Sequence, residues 1–201
     1  MVVRLSDHPP RKSGFAGLRL SAEEYFALPE DGNRYELIDG VVVMSPSPTP
    51  KHQNVASEIL VQLRPFVLSN RLGVVLPEVD ICLGRARDGG PLVYRPELVF
   101  VGSAKAKAVR ERVEVVPDAV IEVVSPSSRG LDTETKFHDY QQAGVGEYWL
   151  IDPIEERMTF YRLRDGTYVE MPQQANRFAS EVVVGFQLQL DLVRECFRAF
   201  G

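Results

Sequence analysis

AVIEVVSPSSRGLDTETKFHDY, residues 119–140, decides how the rest of the chain is read. Its first six residues, Ala119–Val124, are nearly continuous in β-branched side chains, the composition of a strand buried on both faces. Yet the run holds a carboxylate, Glu122. Side chains alternate across a strand, so Glu122 points away from the face that Ile121 and Val123 share. An unpaired buried charge is expensive, and Glu122 therefore needs a cleft, a partner or a metal. After a Pro-Ser loop, Asp132–Ala143 reads as a helix with Phe137 and Tyr140 on one side and Gly144 as its stop. Lys136 falls one turn after Asp132, so the two can share a helix face. Two readings stand side by side. Glu122 is a structural ion-pair or edge-strand glutamate and Asp132–Lys136 a surface pair, or all three belong to one site.

Working outward, Glu147–Ile151 is a further strand and Met158–Met171 a hairpin turning at Asp165-Gly166. Upstream, Glu97 opens the apolar run Glu97–Val101, a second carboxylate at the head of a strand. Ala104–Val113 reads as a helix with Lys105, Lys107, Arg110 and Arg112, flanked by Arg95. That basic cluster is either a solvated face or a set of phosphate contacts, which position a nucleic acid without reading its sequence. Strands are expected over Leu72–Leu76 and Val79–Leu83. From His52 to Leu68 the period lengthens, with Val55, Ile59, Leu63 and Val67 on one stripe, and Pro65 is expected to kink or shorten that helix. Asp39-Gly40 supplies a type I′ turn within Arg34–Met44. Ser21 and Glu24 form a capping box for a short helix that Pro29 ends. Phe186–Phe200 carries a further apolar stripe.

Hairpins at either end and a strand–helix–strand unit between them give a single domain of α+β class. The expected organisation is a flexible arm over residues 1–18 and a single domain over 19–201. With 23 Lys+Arg against 28 Asp+Glu, the net charge of -5 speaks against a generally basic nucleic-acid coat and leaves room for a local patch. Cys82 and Cys196 match neither zinc nor CxxC spacing and read as reduced core thiols. No signal-like start and no long apolar run is present, so a cytoplasmic protein without membrane contact is expected.

IEVVSPSSRGLDTETKFHDYQQAGVGEYWLIDP (residues 121–153) resembles the signature of the Uma-type family of putative restriction endonucleases, within the PD-(D/E)XK nuclease superfamily. YELIDGVVVMSPSP (residues 35–48), the following His52 and YRPELVFV (residues 94–101) match the same pattern in order, and the likeness runs from about Leu20 to Leu192. The resemblance implies a restriction-endonuclease-like core, a mixed sheet flanked by helices with hairpins added. Glu97 stands where that family carries the aspartate of PD, and Glu122 matches the acidic member of (D/E)XK. The lysine of that half-motif would fall at Val124; Lys136 matches a migrated position on the next helix. Glu36 matches a further acidic position, while Asp132, His52 and Tyr140 are supporting candidates.

Under this resemblance Glu97 and Glu122, with Glu36 as a third ligand, would hold Mg²⁺, with Mn²⁺ as a substitute. Such a cation suits oxygen ligands and activates water for phosphodiester hydrolysis. The implied activity is a metal-dependent endodeoxyribonuclease acting on duplex DNA as a homodimer. The competing reading is a non-catalytic nucleic-acid-binding or assembly protein that keeps the fold, because Glu97 replaces aspartate and Val124 cannot replace lysine.

Overall fold

The computed structural model describes residues 14–199 of the chain. The element order is α1 (Ala22–Phe26), β1 (Arg34–Ile38), β2 (Val41–Ser45), α2 (Pro50–Ser69), β3 (Gly73–Pro77), β4 (Ile81–Arg85), β5 (Pro91–Tyr94) and β6 (Leu98–Gly102). Then come α3 (Ser103–Ala106), β7 (Ala119–Val123), a π-helical turn (Leu131–Thr135), α4 (Lys136–Ala143), β8 (Glu147–Asp152), β9 (Arg157–Arg164) and β10 (Thr167–Glu170). The chain closes with β11 (Arg177–Ala179), β12 (Gln187–Gln189) and α5 (Leu190–Arg198).

A six-stranded sheet, β10-β9-β8-β7-β6-β3, forms the centre. Only β7–β8 is parallel, joined by the crossover that contains α4; its other neighbours pair antiparallel. Every residue of β7 is buried, as its β-branched run requires. Alternation sends Ile121 and Val123 to one face, where they meet Ile59, Leu63 and Val67 of α2 and Phe197 of α5. Val120 and Val124 go to the other face, with Tyr140 of α4 and with Ile81 and Tyr94 of a second sheet. That second sheet, β2-β1-β5-β4, covers the centre on the α4 side, and α1 packs its Tyr25 with Tyr35, Leu37 and Val93. Each fully buried Leu, Ile or Val of these layers contributes about 1.5–3 kcal/mol.

Both Asp-Gly hairpins form as expected, with Asp39-Gly40 and Asp165-Gly166 at positive φ throughout. The capping box of Ser21 and Glu24 is present, and Gly144 ends α4 in the left-handed region. Pro65 does not shorten α2, which runs on to Ser69. Val61, whose carbonyl loses its partner at Pro65, is 66% exposed, so water can satisfy that group. The helix expected over Ala104–Val113 is reduced to the four residues of α3, and Val113 instead bridges to Ile81. Residues 1–13 of the expected arm lie outside the described residues; residues 14–18 contact β2 and Tyr35. Gly17 donates to the Val42 carbonyl, Val42 donates to the Leu18 carbonyl, and Phe15 packs edge-on against Tyr35. Cys82 is half-buried, Cys196 is buried, and both are free thiols. Among the described residues no helix is long and apolar enough to cross a membrane.

Candidate active site

Leu98 pairs with Ile121 across antiparallel β6 and β7. One step further along that register, Glu97 falls opposite Glu122, so both carboxylates rise from the same face at one end of the sheet. Both line a cavity of about 360 Å³ together with Glu36, Asp132, Lys136 and His52. Glu36 arrives on β1 of the second sheet, and Lys136 opens α4. His52 arrives in the first turn of α2, which Thr49 caps by accepting from its backbone N–H and Pro50 starts with a preset φ.

Lys136 joins these elements. Its ammonium lies 2.9 Å from Glu122 Oε1, 3.0 Å from Glu36 Oε1 and 3.5 Å from Asp132 Oδ1. The lysine side chain is only 5% exposed, so the surface-pair reading of Asp132–Lys136 does not hold. Three carboxylates outweigh the desolvation of the ammonium and raise its pKa well above the ordinary value. Lys136 is therefore a fixed cation and not a base. Burial pushes Glu122 upward while the ammonium pulls it back, leaving it above the usual carboxylate range. The Tyr140 hydroxyl also donates to Glu122 Oε1, at 2.7 Å. Both hydrogen bonds that Glu122 accepts thus fall on one oxygen, and Oε2 is left to the cavity.

Glu97 sits apart from this network. His52 Nε2 is 3.5 Å from its Oε1, too long for a strong hydrogen bond, and its Oε2 is buried without a partner. Burial, with Glu78 next, raises its pKa to about 7. Burial likewise lowers His52, so the imidazole is neutral, with Nδ1 buried and unpartnered. Asp132 is held by the Ser128 hydroxyl at 2.6 Å and is raised by burial.

Among the described residues, no three His, Cys, Asp or Glu side chains converge as a ready metal cage. The donor set still suits magnesium, which keeps several waters and takes only one or two carboxylates plus substrate phosphate. The buried, unpartnered Glu97 Oε2 and the uncommitted Glu122 Oε2 fit that requirement. Glu36 fits it less well, because its oxygens accept from Lys136, the Arg95 backbone N–H and Ser45.

Of the basic cluster only Arg95 lines this cavity. Lys105 bonds Asp118 Oδ1 at 2.7 Å beyond Gly102, the far end of β6 from Glu97. Arg112 stacks over Phe26, and Arg95 forms a bidentate pair with Asp80. Lys107 and Arg110 remain exposed. Sequence reasoning missed Ser128 and Tyr94. Ser128 stands one turn before Asp132, a spacing that carries some signal. Tyr94, whose ring lies 5.3 Å from the Lys136 ammonium, arrives on a strand that was not anticipated.

A family model described as putative restriction endonuclease, Uma2, matches residues 22–192. The crystal structure of a putative nuclease belonging to DUF820 from Anabaena variabilis superposes with a TM-score of 0.74 at 19% identity, over 89% of this chain and 99% of that one. That likeness fixes the architecture as restriction-endonuclease-like, a mixed sheet flanked by helices. No curated protein matches the chain.

Proposed function

The chain belongs to the Uma2 family of putative restriction endonucleases, and from that premise we propose that it is a Mg²⁺-dependent endonuclease hydrolysing DNA phosphodiester bonds. One observation carries the reading. A lysine displaced to α4 reaches 2.9 Å from Glu122 Oε1, in the cavity that Glu97 also lines. A divalent cation held by Glu97 and Glu122 would polarise the phosphoryl group and lower the pKa of the attacking water.

The residues around it have separable tasks. Tyr140 and Lys136 fix one oxygen of Glu122, which aims the other. Glu36 and Asp132 keep Lys136 protonated, so its ammonium can offset charge developing on the phosphate without giving up a proton. Ser128 steadies Asp132. Lys107 and Arg110 are the exposed candidates for phosphate contacts away from the cavity. Cutting both strands of a duplex calls for two such sites, so the working form is a homodimer on DNA.

The test is incubation of purified protein with supercoiled plasmid. Nicking or linearisation is expected with Mg²⁺ or Mn²⁺, little with Ca²⁺, and none with EDTA or in Glu122→Ala. Cleavage at full rate in EDTA would rule the mechanism out. A non-catalytic nucleic-acid-binding role is the second reading, because Glu97 stands where the family carries aspartate and Val124 where the half-motif lysine would fall. Titration calorimetry with Mn²⁺ separates the two: the enzyme reading requires binding that Glu122→Gln removes.

A further inference from the structure

We infer that the cavity takes one unpaired nucleotide, so that the substrate is a nucleic acid carrying a bulged, flipped or single-stranded residue at the scissile position. The inference rests on the nuclease reading and narrows its substrate. Glu36, Glu122, Asp132 and Lys136 are each exposed by 4% or less. A continuous duplex presents its phosphates on a convex outer surface and keeps its bases stacked inside. It cannot deliver a phosphate to groups so deeply covered unless the backbone is drawn inward. A nucleotide out of the stack can enter, and unstacking is least costly where the base is already unpaired.

The walls agree with that occupant. Met44, Pro46 and Pro48 line the cavity from the segment between β2 and α2, and Pro126 and Leu131 line it from the segment after β7. These side chains offer apolar surface above an acidic floor, and Met44 is 49% exposed. The floor accepts phosphate only through a cation, whereas the apolar walls suit the face of a base. No Phe, Tyr or Trp is among the described residues lining the cavity, and its one imidazole, His52, faces Glu97, so the contact is apolar packing without a Phe, Tyr or Trp platform. Such packing reads no base edge and tolerates any base. A volume of 360 Å³ lies near the small end of ligand pockets, which run from about 300 to 1,000 Å³. It accommodates one nucleotide and not a run of them.

Fluorescence anisotropy in Ca²⁺ tests this with three labelled oligonucleotides of one sequence: an uninterrupted duplex, that duplex with one unpaired nucleotide, and the single strand. The bulged duplex and the single strand should bind roughly tenfold or more tighter than the uninterrupted duplex. Met44→Glu, a change at an exposed position, should narrow that gap to about twofold or less, a loss of most of the discrimination. In Mn²⁺, cuts should map beside the unpaired nucleotide. Equal or tighter binding of the uninterrupted duplex, no binding of any of the three, or a gap that survives Met44→Glu would overturn the inference. The two readings fail differently. Preference without cutting removes the nuclease and keeps the nucleotide pocket, while cutting without preference does the reverse.

Discussion

Tyr140 donates to the same Glu122 oxygen that Lys136 holds, 2.7 Å against 2.9 Å, from a position one helical turn further along α4. The carboxylate is therefore gripped from one side only. Tyr140→Phe frees the grip while keeping the ring that packs against Tyr94 and Tyr148. Turnover on DNA should fall by about tenfold, and stability by roughly 1 kcal/mol, the net worth of one hydrogen bond. Single-turnover cleavage and urea unfolding report the two quantities separately.

Lys136→Ala should do more than slow the reaction. It strips the cation from three nearly buried carboxylates, and removing one partner of a buried pair costs about 3–5 kcal/mol. Cleavage should drop by about 10²-fold or more. Urea midpoints should recover part of the loss at acid pH, where the stranded carboxylates take up protons. A variant as stable as the parent at pH 8 would contradict the geometry.

Glu97 links stability to pH. Its pKa rises from 4.5 in the unfolded chain to about 7 in the fold, so the folded form binds the proton more tightly. That contribution is complete below about pH 4.5 and is lost as pH rises through 7. Unfolding free energy attributable to this site should therefore be lower at pH 8 than at pH 5, by on the order of 2–3 kcal/mol. Glu97→Gln should flatten the difference, and Mg²⁺ should restore stability at pH 8. A pH profile identical in Glu97→Gln would show that another group is responsible.

Glu147 is a carboxylate of the opposite kind. It is fully buried and accepts from Trp149 Nε1, the Ser180 hydroxyl and the backbone N–H groups of Glu181 and Val182. It pairs with Ala119, at the end of the central strands away from Glu122. Glu147→Ala leaves those donors without a partner and should cost roughly 3 kcal/mol or more. At temperatures where the variant is folded, metal affinity measured by calorimetry should match the parent.

Most of the central layer was legible because its signals are local. The β-branched run of β7, the Asp-Gly turns and the Gly144 stop each dictate backbone geometry within a few residues. What escaped depends on distant partners. β5 is only four residues long and is a strand because β1 and β4 flank it. The run over residues 104–113 reads as a helix, yet Val113 bridges to Ile81, a distant partner, and α3 stops early. At the site, Glu122 could be singled out as an anomaly in its strand. Which oxygen is held, and that Glu36 arrives from another sheet to share the lysine, are properties of packing that no spacing encodes.

The π-helical turn before α4 sets a length constraint on the chain. Widening the coil by wider i→i+5 rings gives more than four residues per turn, which brings Asp132 and Lys136 closer to a common azimuth than the 3.6-residue repeat would. Deleting any one residue between Leu131 and Thr135 would let the segment relax to ordinary helix without disturbing the core of α4. It would also turn the Ser128–Asp132 side of the loop by about 100° relative to the ammonium. Natural variation in this segment should therefore accept substitutions at the exposed Glu134 and Thr135, retain Asp132, and resist changes of a single residue in count.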